Sequence, residues 1–196
     1  MKHTFVLGLL LLALLAPSCV MAQAYDHGEV GAFADYFRLG VTNPEINFVG
    51  LGGRASFNVA SHVAIEAEMS YDFERNFTST FSNGASTEFV TTRLRPLTGL
   101  FGPRFQSGAS SPVRFFITPK VGFINFTVTN QNASSGFQSA LGAVTAGNTR
   151  LALYPGGGIE GFWGFFGFRL DVGDEIYFDN GARNNLRATF GPVIRF

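Results

Sequence analysis

The stretch LRATFGPVIRF, Leu186 to Phe196, decides the fold. Every second residue back from Phe196 is apolar: Ile194, Pro192, Phe190, Ala188 and Leu186. The interleaved set is Arg195, Val193, Gly191, Thr189 and Arg187. A strand sends alternate side chains to opposite faces, so this segment has one greasy face and one small or charged face. In water the pattern describes a half-buried strand. In a bilayer it describes a barrel stave with lipid on one side and a polar interior on the other.

The same alternation recurs upstream, near 28 to 40, 46 to 58, 63 to 75, 87 to 104, 113 to 128, 150 to 162 and 166 to 178, with 186 to 196 as the eighth segment. Most reach the ~9 to 11 tilted residues that cross a bilayer core. From the second connection onward, short and long alternate: "VASH", "NFTSTFSNGAS", "QSGASSP", "TNQNASSGFQSALGAVTAGN", "WGF" and "DNGARNN". Tight turns at one end and longer loops at the other are the habit of up-and-down barrels. The sequence therefore predicts an all-β fold, an eight-stranded antiparallel up-and-down transmembrane β-barrel. Both ends of the chain then lie on the turn side. The loops near 40 to 46, 76 to 87, 129 to 149 and 179 to 185 face the other way.

The N-terminus sets the compartment. Met1, Lys2 and His3 form a short basic start, Phe5 to Ala16 is an apolar run, and small residues follow at Ala22 and Ala24. This is the pattern of a secretory signal peptide, residues 1–22, with cleavage after Ala22 or after Ala24. The barrel is expected over 23–196, as one domain. Cys19, the only cysteine, reads either as a lipoprotein acceptor or as a discarded signal residue, and Pro17 in "LAPSC" argues against the acceptor. Without Cys19 the exported chain has no disulfide, thiolate metal site or cysteine nucleophile.

Acidic and basic residues number 14 each, so no basic surface points to nucleic acid. Phenylalanine is the excess: 23 Phe against 5 Tyr and one Trp. An Arg or Lys facing lipid near mid-bilayer costs about 2 to 4 kcal/mol, so charges must sort to the inward parity. That parity collects Glu29, Asp35, Glu66, Glu68, Asp72, Glu160, Asp171 and Glu175 with Arg54, Arg93, Arg95, Arg114, Lys120, Arg150, Arg169, Arg187 and Arg195. Glu74 shares the inward parity of the third segment. Two segments sort less cleanly. The first carries Phe33 and Phe37 with Asp35, and the seventh has Asp174 on its apolar parity, as a bulge after Gly173 would allow. Comparable numbers of opposite charge in a narrow interior predict a plug of ion pairs rather than an open pore.

Signal peptide, amphipathic segments, alternating loops and the terminal "FGPVIRF" together resemble the small outer-membrane β-barrel family, similar to the OmpA-like membrane domain without a periplasmic domain. The resemblance covers the mature chain. It implies residence in the bacterial outer membrane among its lipids, with delivery by periplasmic chaperones and the outer-membrane assembly machinery. It also implies that Phe190, Ile194 and Phe196 form the assembly signal. The family holds adhesion and serum-resistance proteins, structural barrels, small-solute channels and a few lipid-modifying enzymes, and fold does not choose among them.

Catalysis lacks a foothold in the sequence. His3 leaves with the signal peptide, His27 precedes the first strand and His62 lies in a tight turn. Glu66 and Glu68, at i and i+2, could form an acid pair or metal site, but partnership with inward arginines accounts for them, so no metal or cofactor is expected. "GLGGR" and "PGGGIEG" open no helix and lack the Lys-Ser/Thr of a phosphate loop, so their glycines serve bends and close packing. The expectation is a non-enzymatic structural or cell-surface interaction protein, its surface ligand unspecified. A narrow channel for small solutes is the alternative, and a soluble lipocalin-like ligand-binding barrel the more distant one.

Overall fold

The computed structural model describes residues 27–40, 46–82, 87–131, 149–179 and 181–196. The stretch expected as a signal peptide, with Cys19, and the middle of the loop expected near 129 to 149 lie outside them. Eleven strands form one antiparallel sheet: β1 (Gly28–Leu39), β2 (Ile46–Ala60), β3 (Val63–Asp72), β4 (Arg75–Ser82), β5 (Thr87–Gln106), β6 (Val113–Gln131), β7 (Thr149–Trp163), β8 (Phe166–Asp174), β9 (Ile176–Phe178), β10 (Ala182–Arg183) and β11 (Leu186–Arg195). Consecutive staves pair, and β1 pairs with β11 from Glu29↔Arg195 to Arg38↔Leu186, which closes the sheet on itself. The result is a closed eight-stranded antiparallel barrel.

Eleven strands make eight staves because three staves are interrupted, β10 and β11 being two pieces of the last one on a single register with β9 and β8. β3 and β4 both pair with β5 along one line. Tyr71 faces Leu97 whereas Arg75 faces Leu94, so one extra residue is accommodated among Asp72, Phe73 and Glu74. That bulge reverses which parity points inward beyond it. β8 and β9 both pair with β7, and there the register runs on unchanged from Gly156↔Gly173 to Ala152↔Tyr177. The bulge expected after Gly173 is therefore absent. Asp174 keeps its outward parity at the loop end of the stave, where the side chain of Asn184 and the backbone N–H of Asn185 both donate to it. Much of the stretch expected as a loop near 76 to 87 is strand, since β4 and β5 continue as a hairpin to Ser82 and Thr87.

The turns at one end are tight. Ser61 and His62 join β2 to β3, and Gly164-Phe165 joins β7 to β8. Gly164 has φ +67°, a left-handed conformation that glycine takes without the Cβ penalty. His27 and Phe196 meet here through backbone hydrogen bonds, so the barrel's first and last described residues share the turn end.

The outward face is a continuous apolar belt. Leu51, Met69, Phe101, Ile117, Leu170 and Phe190 are each more than two-fifths exposed. On β6 the belt runs from Val113 to Phe123, which at about 3.3 Å per residue is about 33 Å along the strand. With the usual tilt near 40° that is about 25 Å of height, the depth of the apolar band of a transmembrane barrel. Trp163, Phe165 and Phe196 ring its turn-end edge; Tyr36 and Tyr71 stand at the loop-end edge. Among the described residues, outward-pointing charge begins only beyond those tyrosines, at Arg38, Arg95 and Asp174.

Candidate functional site

The barrel interior is the candidate site, and alternation builds it. Inward positions on β1, β2, β3, β6, β8 and β11 deliver Glu29, Asp35, Arg54, Glu66, Glu68, Asp72, Arg114, Lys120, Arg169, Asp171 and Arg187, while β7 adds Glu160 and the β8–β9 junction adds Glu175. All are buried.

These groups stack in tiers along the axis. Nearest the turn end, the guanidinium of Arg114 lies 2.6 Å from Glu29 and 2.8 Å from Glu160, and it donates to the carbonyl of Ala109. Arg104 reaches Glu29 at 2.7 Å, Glu160 at 3.0 Å and Glu66 at 3.2 Å. In the middle tier Arg169 holds both oxygens of Glu66 and also Asp171 at 2.7 Å, its guanidinium carbon 3.9 Å from the centre of the Phe116 ring. Lys120 lies 2.7 Å from Glu66 and 2.8 Å from Glu68. Arg54 donates to Thr189 Oγ1 at 2.6 Å and rests 4.2 Å from the Phe33 ring centre. Above them Arg187 donates to both oxygens of Asp35, to Glu68 and to Ser70. Thr98 donates to Glu175, and Tyr154 to Asp171.

Removing such charges from water costs several kcal/mol each, and only multiple short contacts offset that cost. The forked guanidinium suits the task because one Arg serves two or three carboxylates at once. Glu66, Glu68 and Asp171 come close enough together to resemble a metal site. The Lys120 ammonium, in contact with the two glutamates and 3.8 Å from Asp171, already supplies the cation there.

Four of the arginines placed inside by the alternation stand elsewhere, and one inside was not foreseen. Arg93 and Arg95 are on the outward parity of β5. Arg93 pairs with Glu74 at 3.0 Å, each about 38% exposed, so Glu74 is also outside, as the bulge at Asp72–Glu74 requires. Arg95 donates to the hydroxyl of Tyr71 at 2.7 Å. The inward parity of β5 belongs to Thr98, Leu100 and Arg104. Arg150 keeps the inward parity but sits at the loop-end mouth, paired with Asp179 at 3.0 Å. Arg195 sits at the turn-end mouth and donates to the carbonyls of Gly164 and Ser111.

The phenylalanines also divide. Phe33, Phe37, Phe48, Phe116 and Phe162 are buried inside the barrel rather than turned to lipid. Phe33, Phe116 and Phe162 lie beneath guanidinium groups. Phe37 and Phe48 pack with Leu39, Leu100, Ile124, Ala152, Tyr154 and Tyr177 in an apolar layer between the ion pairs and the loop end. The interior is thus a charged block capped by an apolar one. Phe190, Ile194 and Phe196 all face outward.

No family model and no curated protein matches this chain. Solved structures do. Neisserial surface protein A is similar in fold, with a TM-score of 0.50 at 9% identity over 89% of this chain and 100% of that one. The attachment invasion locus protein Ail of Yersinia pestis, in complex with the heparin analogue sucrose octasulfate, scores 0.48 at 14% identity over 87% and 97%. The outer membrane protein OprG of Pseudomonas aeruginosa scores 0.48 at 12% identity over 88% and 96%. All three are small eight-stranded outer-membrane barrels, and the first places this chain in that fold.

Proposed function

We propose that the chain is a non-enzymatic integral protein of the bacterial outer membrane, with the turn end in the periplasm and the loop end outside. In this reading the barrel is a closed anchor, and its external loops carry a structural or cell-surface interaction role. The supporting observation is the filled interior. Arg104, Arg114, Lys120, Arg169 and Arg187 cross it at successive heights, each locked to two or more carboxylates, and the layer of Phe37, Phe48 and Ile124 lies above them. A solute path for the channel alternative would have to part both layers.

The apolar belt supports outer-membrane lipid as the surrounding medium. The outward set Phe190, Ile194 and Phe196 supports recognition by the assembly machinery, with periplasmic chaperones holding the chain before insertion. The test is cell fractionation followed by gel electrophoresis with and without boiling, then reconstitution in planar bilayers. A heat-modifiable band in the outer-membrane fraction and a silent bilayer are expected. Reproducible single-channel steps would overturn the closed interior, and release without detergent would overturn the membrane location.

A further inference from the structure

Arg93 and Arg95 stand on the outward face of the barrel at the loop-end edge of the apolar belt. They stand one pleat apart on the outward face of β5, about 6.6 Å from each other along the strand. Directly below them the apolar belt ends at Leu97, Tyr71 and Phe73. Arg95 is fixed rather than free. Its guanidinium carbon lies 4.9 Å from the centre of the Tyr71 ring, its Nη1 donates to the Tyr71 hydroxyl, and exposed Thr127 of β6 is its neighbour across the strand. Among the described residues no carboxylate pairs with it, so its charge is not neutralised within the barrel wall. Arg93 pairs with Glu74 at the half-open rim.

We propose that Arg95 and Arg93, with the Tyr71 ring and the Thr127 hydroxyl, form a docking platform for the phosphate of a lipid headgroup in the outer leaflet. The platform rests on the membrane reading above. Its height is right, since residues just beyond the hydrocarbon edge meet headgroups, and long cationic side chains at that level reach for them. Its chemistry is right, since a planar guanidinium binds phosphate through two parallel hydrogen bonds. Its stiffness is right, since stacking on Tyr71 pre-orients Arg95, so less side-chain freedom is lost on binding. A phosphate bound by the Arg95 guanidinium would also feel the positive charge of Arg93 one pleat away.

The experiment uses the whole barrel refolded into phosphatidylcholine vesicles, alone or doped with diphosphoryl lipid A or with the same lipid stripped of phosphate. The midpoint temperature at which the compact gel band is lost reports binding. Doping with the diphosphorylated lipid is expected to raise the wild-type midpoint by several degrees. The Arg95→Gln variant should lose most of that rise and the Arg93→Gln/Arg95→Gln variant all of it. Both variants should keep the wild-type midpoint in phosphatidylcholine alone, which also shows that they fold. An equal rise in the double variant, an equal rise with the dephosphorylated lipid, or the same rise with inorganic phosphate in solution would overturn the platform. Failure to insert into phosphatidylcholine at all would instead count against the membrane reading, so the two failures are distinguishable.

Discussion

Arg169 meets Glu66 side-on: Nη1 lies 2.5 Å from Oε2 and Nη2 2.9 Å from Oε1, and both side chains are shut off from solvent. The two residues lie 103 positions apart, so the pair forms only when β3 and β8 stand across the same barrel. Breaking a buried pair costs about 3 to 5 kcal/mol when the remaining charge has no other partner. Here Lys120 and Arg104 still face Glu66, and Asp171 and Glu160 still face Arg169, so the loss falls at or below the lower end of that range. Glu66→Gln and Arg169→Met should each lower the unfolding free energy of the refolded barrel, read from urea titration, by that measure. Joined in one chain, the two changes should cost well under their sum, because the stranded charge disappears. Additive effects would mean that the pair is not coupled.

Lipid depth should be readable from single arginines placed on the belt. Leu170 lies halfway along β8, whereas Leu186 lies at the loop-end edge of β11 beside Arg38 and Asp174. An arginine near mid-bilayer costs about 2 to 4 kcal/mol and one near the interface about 0 to 1. Leu170→Arg should therefore destabilise the vesicle-inserted barrel far more than Leu186→Arg. Equal effects in an unfolding titration would contradict the position of the belt.

The turn between β7 and β8 depends on one backbone angle. Gly164 has φ +67° and open space where a Cβ would go, so Gly164→Ala meets strain without a clash. The left-handed conformation costs an L-residue about 1 to 2 kcal/mol. Gly161, also with open space around its would-be Cβ but no positive φ, is the control, and Gly161→Ala should be nearly neutral in the same unfolding assay.

Phe196 is 67% exposed and its backbone is tied to Gly28 in both directions. If its ring serves recognition during assembly, Phe196→Ala should refold from urea into detergent as well as wild type while accumulating poorly in the outer membrane of cells. Equal loss in both settings would assign the ring a packing role only.

How much of this was legible in the sequence depends on how clean each strand's alternation is. β3 separates Ile65, Ala67 and Met69 from Glu66, Glu68 and Ser70 without exception, and its faces read directly. β5 does not, because Leu94, Pro96 and Leu100 sit on one parity while Leu97, Phe101 and Phe105 sit on the other. Alternation read from its mixed apolar residues puts Arg93 and Arg95 inward and does not single out Arg104. Counting back from the bulky outward pair Phe101 and Phe105 would have placed Arg104 inside and Arg95 outside. The bulge beyond Asp72 left no such trace, so the side taken by Glu74 needed coordinates. Apart from Phe33 and Phe37, which share the parity of Asp35, alternation reads apolar residues as lipid-facing, yet an apolar layer lies inside the barrel toward its loop end. A period of two names the two faces of a strand without saying how the character of one face changes along its length.

The pairing of β1 with β11 has a consequence in time. Arg187 clasps Asp35 from 152 positions away, so the acid waits for nearly the whole polypeptide to leave the ribosome before its mate exists. Until then each emerging hairpin carries naked ions on one side and grease on the other, a form at home in neither water nor hydrocarbon. Because the joining contacts are so distant in the chain, closure is expected to be slow.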